Sequence, residues 1–300
     1  MVLYKGGVPH KIKINNSIAP EVRQLKELTT YGLGGRAEIY FPENLYEAKR
    51  AYSVALSHGA PPLVLGNGSD ILAADGGCMR EIICTKKLTG IVRVADDRLF
   101  CLAGTKVSTL LNYCRLRGLG GLEYLVNIPA TIGGIAYMNG GAAGKYIGEN
   151  VVRVTLYNGK TVKLSNYACH YTYKHSTMRD INAIILSILL KVDVSERSVV
   201  EERIKEFSRR RRNLPKGKSC GCVFKNPAGD YAARLIEKAG LKGRRIGGAF
   251  VSDEHANFII NDGGSASDVF RLISLVREEV KLRFGVTLEE EVIYFGDFER

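Results

Sequence analysis

Leu122-Glu-Tyr-Leu-Val-Asn-Ile-Pro-Ala-Thr-Ile-Gly-Gly134 runs on, after Ile135, through Ala136-Tyr-Met-Asn-Gly-Gly-Ala-Ala-Gly144. Side chains this small fill a core poorly. Glycine and alanine in such density make sense where backbone must lie flat against a large planar ligand. Ile128, Ile132, Ile135 and Met138 are spread evenly through the stretch, which argues against a loose connecting loop. A second cluster, Gly66-Asn-Gly-Ser69, ends a short apolar strand expected over 62–65. Glycines there let backbone approach a ligand, and successive N–H groups can cradle a phosphate. Taken alone, that turn reads equally well as a surface turn. It is not the Gly-x-Gly-x-x-Gly that opens a helix in the common parallel dinucleotide fold.

Outward from these clusters, local signals predict the elements. A helix over 44–59 starts at the cap Asn44, with Glu47 three residues on. A helix over 107–116 has Val107, Leu110, Leu111 and Cys114 on one face and stops at Gly118. Strands over 152–157 and 161–164 flank Asn158-Gly159 as a hairpin, and 183–192 is an apolar strand. At Asp193 the character changes. A charged helix over 195–212 leads to Asn213-Leu-Pro215, where a domain boundary is expected. Beyond it come a helix over 231–239, strands over 246–251 and 257–261, and a long helix. That helix carries Val269, Leu272, Ile273, Val276 and Val280 as one stripe, with Ser265-x-x-Asp268 as cap and Gly285 as stop. A final strand over 287–295 completes an α+β class.

At 300 residues the chain is long for a single domain. Its 45% hydrophobic and 25% charged residues are ordinary for a soluble enzyme. No apolar run spans a bilayer, and the first 20 residues lack a signal-peptide core, so a cytoplasmic location is expected. Seven cysteines, an odd count, sit mostly in apolar stretches. Cys220-Gly-Cys222 has no metal-ligand spacing, so no metal is expected. Reduced, buried thiols are the reading for all but Cys222. The net charge of +12 attracts polyanions, so nucleic acid comes into question. The densest basic run, Arg209 to Arg212, ends a predicted helix, where it complements the dipole as a solvated face. No nucleic-acid motif surrounds it.

The order Thr30-Tyr-Gly-Leu-Gly-Gly35, Leu65-Gly-Asn-Gly-Ser69, Gly121-Leu-Glu-Tyr-Leu125 and Ile128-Pro-Ala-Thr-Ile-Gly-Gly134 resembles the FAD-binding part of the UDP-N-acetylenolpyruvoylglucosamine reductases. Ser219-Cys-Gly-Cys-Val-Phe-Lys-Asn-Pro227, Leu235-Ile-Glu-Lys-Ala-Gly-Leu-Lys-Gly243, Val251-Ser-Asp-Glu-His-Ala-Asn-Phe258 and Leu288-Glu-Glu-Glu-Val292 resemble the last third of the same family. The similarity runs in order over about 25–296. The absence of a long insertion after the hairpin is similar to the family's shorter type. The resemblance implies a two-subdomain FAD-binding fold of the vanillyl-alcohol oxidase / p-cresol methylhydroxylase type over 31–195, in parts of about 31–88 and 89–195. An N-terminal segment, 1–30, precedes it, and an α+β substrate domain, 196–300, follows. It implies non-covalent FAD, NADPH as reductant and an enolpyruvyl nucleotide sugar as substrate, all rich in phosphate and suited to a basic chain. It implies neither nucleic acid nor membrane as partner, and a monomer. Gly66, Asn67, Gly68, Ser69 and Asp70 would bind the cofactor from the first cluster. Ile128, Pro129, Thr131, Gly133, Gly134, Asn139 and Gly140 would bind it from the second.

Three catalytic positions carry over from the family. Its Tyr-Arg-x-Ser motif reads Tyr173-Lys174-His175-Ser176 here, so Lys174 would supply the positive charge, without the fork that matches a carboxylate. The proton donor, usually serine, is Cys222; a thiol of reference pKa about 8.5 is mostly protonated at neutral pH yet gives its proton more readily than a hydroxyl. The glutamate of Leu-x-x-Glu-Val is Glu291, which as a neutral acid could hydrogen-bond the developing enolate. Strand alternation puts Glu289 on the same face, so the residues alone leave both open. Tyr173, Lys225 and Asn226 are substrate contacts by the same resemblance. Ala143 stands where the family often has an aromatic residue. Two rival readings are another FAD-dependent oxidoreductase of this fold and a flavin-binding paralogue that no longer turns over; Lys174 and Cys222 keep the second open.

Overall fold

The computed structural model of the protein describes residues 18–298, so the first 17 residues of the expected 1–30 segment lie outside the described residues. Its contacts group into two compact units. The first holds Ile39–Asn67 and Glu81–Arg211, and the second holds Val22–Glu38, Gly68–Arg80 and the chain from Arg212 onward.

In the first unit, helix α1 (Leu45–Ser57) begins as expected. Asn44 accepts the Glu47 N–H at 3.0 Å, and Glu47 accepts the Glu43 N–H at 2.8 Å. Its buried face is Ala48, Ala51, Tyr52 and Ala55, mostly small side chains that let the helix lie close to the sheets. Ile39 and Tyr40 of the strand Arg36–Tyr40 pair in parallel with Ile82–Cys84, whose other edge takes Leu63–Leu65. A five-stranded antiparallel sheet runs in the order Thr161–Ser165, Val151–Tyr157, Ile184–Lys191, Arg98–Leu102, Ile91–Ala95, and contains the expected hairpin. Helix α2 (Val107–Arg117) buries the predicted face and ends at Gly118 in the left-handed conformation, φ 62°. Part of the glycine-rich stretch is itself helical: α3 (Ile132–Met138) is capped by the Thr131 hydroxyl, which accepts the Gly134 N–H at 3.2 Å. Helix α4 (Arg197–Arg210) also packs in this unit, burying Val200, and the units part after Arg211.

In the second unit, α5 (Ala232–Lys238) and α6 (Ala266–Phe284) form a core with a three-stranded antiparallel sheet. All five residues of the predicted α6 stripe are buried, Ser265 and Asp268 form a reciprocal capping box, and Gly285 ends the helix at φ 70°. Asp75 adds a second cap that the sequence does not advertise: it accepts the N–H groups of Ala266 and Ser267 at 2.9 and 3.0 Å. The expected strand over 246–251 is instead a hairpin, Arg245–Ile246 against Ala249–Val251. Gly247 turns it with φ 53°, and an added Cβ at Gly248 would stand 2.3 Å from the Gly264 nitrogen. The expected last strand over 287–295 is regular only over Ile293–Phe295, which pairs in parallel with Ile71–Ala73. Among the described residues, no helix is long and apolar enough to cross a membrane.

Candidate active site

The first unit brings Gly66 and Asn67 of the shorter glycine cluster against the longer one. Asn67 Nδ2 donates to Pro129 O at 2.6 Å, and an added Cβ on Gly66 would meet Thr131 Oγ1 at 2.6 Å. Two glycines of the long stretch are also required by the chain's own packing. An added Cβ would stand 2.9 Å from Ala103 at Gly133 and 2.7 Å from Ile135 at Gly140. Asn139, a C-cap at φ 47°, has both ends of its side chain engaged: Nδ2 donates to Thr172 O at 2.7 Å and Oδ1 accepts Gly148 N–H at 3.0 Å.

A cavity of about 640 Å³ opens beside this junction, lined by Asn67, Ile128 and Pro129 together with Lys106, Asn112 and Arg115. Burial holds Lys86 below the usual lysine range, with the Lys106 ammonium adding to the fall and Cys84 opposing it. The consecutive N–H groups of Asn67, Gly68 and Ser69 donate to no acceptor among the described residues. Within the first unit, the apolar wall of Ile128 and Pro129 beside the charges of Lys106 and Arg115 fits a planar ring that carries an anionic group. Gly68, Ser69 and Asp70 themselves belong to the second unit. There an added Cβ on Gly68, at φ 71°, would stand 2.5 Å from Leu28 O. A bulky residue at Gly68 would thus disturb the backbone before it disturbed a ligand. Tyr173 and Lys174 lie in the first unit, on a tight turn closed between Thr172 and His175.

The second unit holds Cys222, Lys225, Asn226 and Glu291. A short antiparallel ladder joins the two segments that carry them. Glu291 N–H donates to Val223 O and Lys225 N–H to Glu289 O, both at 2.8 Å, with Phe224 opposite Glu290. The ladder sorts three consecutive glutamates that sequence alternation leaves ambiguous. Glu289 is 72% exposed and pairs with Lys225. Glu290 accepts from Arg277 and, at 2.6 Å, from the Tyr294 hydroxyl. Glu291 is 8% exposed. Asn226 Oδ1 accepts the Ala232 N–H at 3.1 Å and so tethers the start of α5. Cys222 is half-buried, unlike the other six cysteines, which are buried. Burial pushes the Cys220 thiol far above its usual range; its bond to the Tyr31 hydroxyl at 3.5 Å pulls back, while Asp70, Glu291 and Cys222 add to the rise. Cys220, Cys222 and Glu291 are thus close neighbours.

Sequence reading assigned no role to Asn257, whose side chain grips the Phe224 peptide between Cys222 and Lys225. It stands inside a quoted family motif, but nothing in the spacing reveals the grip. Arg179, bonded to the Lys174 carbonyl, had no signal at all.

A family model described as UDP-N-acetylenolpyruvoylglucosamine reductase, C-terminal domain, matches residues 213–295, and one described as FAD binding domain matches 37–165. The UDP-N-acetylenolpyruvoylglucosamine reductase of Moorella thermoacetica is 38% identical over 279 residues, 91% of this chain and 92% of that protein. Its namesake from Rubrobacter xylanophilus is 37% identical over 282 residues, 91% and 94% of the two chains. Among solved structures, the UDP-N-acetylenolpyruvylglucosamine reductase of Thermus caldophilus matches with a TM-score of 0.82 at 34% identity, over 93% of this chain and all of that one.

Proposed function

The chain belongs to the UDP-N-acetylenolpyruvoylglucosamine reductase family, and from that membership we propose that it reduces the enolpyruvyl ether of UDP-N-acetylglucosamine-enolpyruvate to UDP-N-acetylmuramate in the synthesis of peptidoglycan precursors. FAD is the cofactor and NADPH the reductant. When bound, FAD supplies hydride transfer from NADPH to the enolpyruvyl methylene carbon.

The chain's own residues hold, polarise and protonate. Flavin is held by the Gly66–Asp70 turn and by backbone of 128–140, with the domain of the flavin over about 31–195 and its packing partner α4, and the substrate domain beyond. Lys174 supports charge building on the substrate carboxylate. Glu291, buried at the end of the ladder, hydrogen-bonds the same developing enolate. Cys222 gives its Sγ proton to the carbon next to the carboxylate. Tyr173, Lys225 and Asn226 contact the nucleotide sugar. The protein works in the cytoplasm as a monomer.

The observation that most supports this reading is the ladder that joins the Cys222 and Glu291 segments in a chain matched along nine-tenths of its length by named reductases. The deciding experiment uses the purified protein's absorbance. A yellow protein bleached anaerobically by NADPH and reoxidised by the enolpyruvyl nucleotide sugar is expected. Bleaching without reoxidation by that sugar would leave a flavoprotein of another substrate or a paralogue that no longer turns over.

A further inference from the structure

Lys174 occupies the third position of the turn from Thr172 to His175. Two backbone bonds close it, Thr172 N–H to His175 O at 3.1 Å and His175 N–H to Thr172 O at 3.2 Å. At φ 54° Lys174 lies in the left-handed region, which a lysine occupies only where its surroundings hold it. Three side chains do so. Asn139 Nδ2 donates to Thr172 O at 2.7 Å. The fully buried Ser176 hydroxyl donates to Tyr137 O at 2.6 Å. Arg179 Nη1 donates to the carbonyl of Lys174 itself at 2.8 Å.

Arg179 does more than close a loop. It ends the 3-10 turn Thr177–Arg179, which packs against α3, the helix of the glycine-rich segment. The residue that holds the Lys174 carbonyl thus sits on a turn packed against a helix. Such a tie matters for a lysine. An ammonium on a flexible four-carbon stem has no fork of its own to align with a carboxylate, so its aim depends on the backbone it hangs from.

We infer that Arg179 is a positioning residue for the reaction: by holding the Lys174 carbonyl it keeps the turn in the conformation that directs the Lys174 ammonium to the substrate carboxylate. The inference rests on the role assigned to Lys174 above. It predicts a loss in rate, not in folding or flavin binding. A misplacement of about 1 Å in such a group costs roughly 100-fold.

Arg179→Met removes the donors while keeping bulk. In the FAD-loaded variant, NADPH should bleach the flavin at the parent rate, whereas reoxidation by the enolpyruvyl nucleotide sugar should slow about 100-fold. The substrate's dissociation constant, read by calorimetry on oxidised enzyme, should stay near the parent value; a merely structural role would move it and lower flavin content together. Adding Lys174→Arg should recover much of the lost rate, because a fork tolerates a poorly aimed backbone. Lys174→Met separates the two ideas. Slow reoxidation there beside parent-rate reoxidation in Arg179→Met overturns the inference alone; parent rates in both overturn the role of Lys174 as well. Should Arg179→Met lose its flavin, Arg179→Gln decides, since it keeps a donor for the carbonyl: reoxidation near the parent rate is expected, and a hundredfold loss overturns the inference.

Discussion

The side-chain amide of Asn257 holds both polar groups of Phe224. Its Oδ1 accepts the Phe224 N–H at 2.9 Å and its Nδ2 donates to the Phe224 carbonyl at 2.8 Å. The Asn257 carbonyl also accepts the Val223 N–H at 2.9 Å. The Cys222–Lys225 segment is thus held by Asn257 on one side and by Glu289 and Glu291 on the other.

Asn257→Ala orphans two buried backbone groups, at about 1–3 kcal/mol each. The melting temperature should fall while FAD content is retained, and substrate-driven flavin reoxidation should slow as Cys222 loses its register. Asn257→Asp keeps the acceptor and loses only the donor, so it should lie between the two. A thermal melt and a stopped-flow trace on each variant check this; a parent-like melt for Asn257→Ala would remove the grip as a source of stability.

Burial of Glu291 beside an exposed Glu289 makes different outcomes for the two positions. Glu291→Gln should leave bleaching by NADPH intact and slow reoxidation by roughly 100- to 1000-fold, the usual loss for one such interaction. Glu289→Gln loses only a surface pair with Lys225, worth about 0–1 kcal/mol, and should reoxidise near the parent rate. Reversed outcomes would transfer the role to Glu289.

Cys222→Ser should retain substantial activity, because a hydroxyl supplies one proton from nearly the same place. Cys222→Ala should bleach normally but stall against substrate, since hydride arrives with no proton to trap the enolate. An alkylating reagent should inactivate the parent, with substrate protecting. Cys220, buried and with its thiol pushed far up, should stay unlabelled by mass spectrometry. Parent-rate substrate reduction in Cys222→Ala would place the proton source elsewhere.

Asp268 gives a pH dependence of folding. The Ser265 N–H, which it accepts at 3.0 Å, is the main cause holding its carboxyl below the usual range, with the Ser265 hydroxyl and Arg271 in support and burial opposing. A carboxyl depressed in the folded state stabilises fully above its unfolded pKa of about 3.9, and that contribution is lost as pH falls through the lower, folded value. Asp268→Asn should therefore be less stable than the parent at pH 7, with the difference shrinking on acidification below about pH 4. Urea midpoints at three pH values are the measurement. A constant difference would mean that the cap acts without its charge.

Signals that act within one turn of chain were legible. Asn44 with Glu47, Ser265 with Asp268, and the stops at Gly118 and Gly285 are each decided by residues three or four apart, and each stands where it was read. The misread strand over 246–251 has a long-range cause. The glycines at 247 and 248 sit inside an apolar run that alternates like one strand; the turn there is forced by the closeness of Gly264 and the Asp268 carboxylate, which lie elsewhere in the chain.

By itself the sequence determined most of the helices, the α+β class, and membership of a reductase family through an ordered set of short motifs. It also left Glu289 and Glu291 as candidates on one face of Leu288–Val292. Only the tertiary structure decided which glutamate is buried, because burial depends on what packs from outside the strand and alternation treats Glu289 and Glu291 alike. Likewise the grip of Asn257 on Phe224 spans 33 residues, and the cap that Asp75 places on α6 spans 191. A hydrogen bond requires two groups within about 3 Å, and no periodicity along a chain encodes the meeting of segments that folding alone brings together.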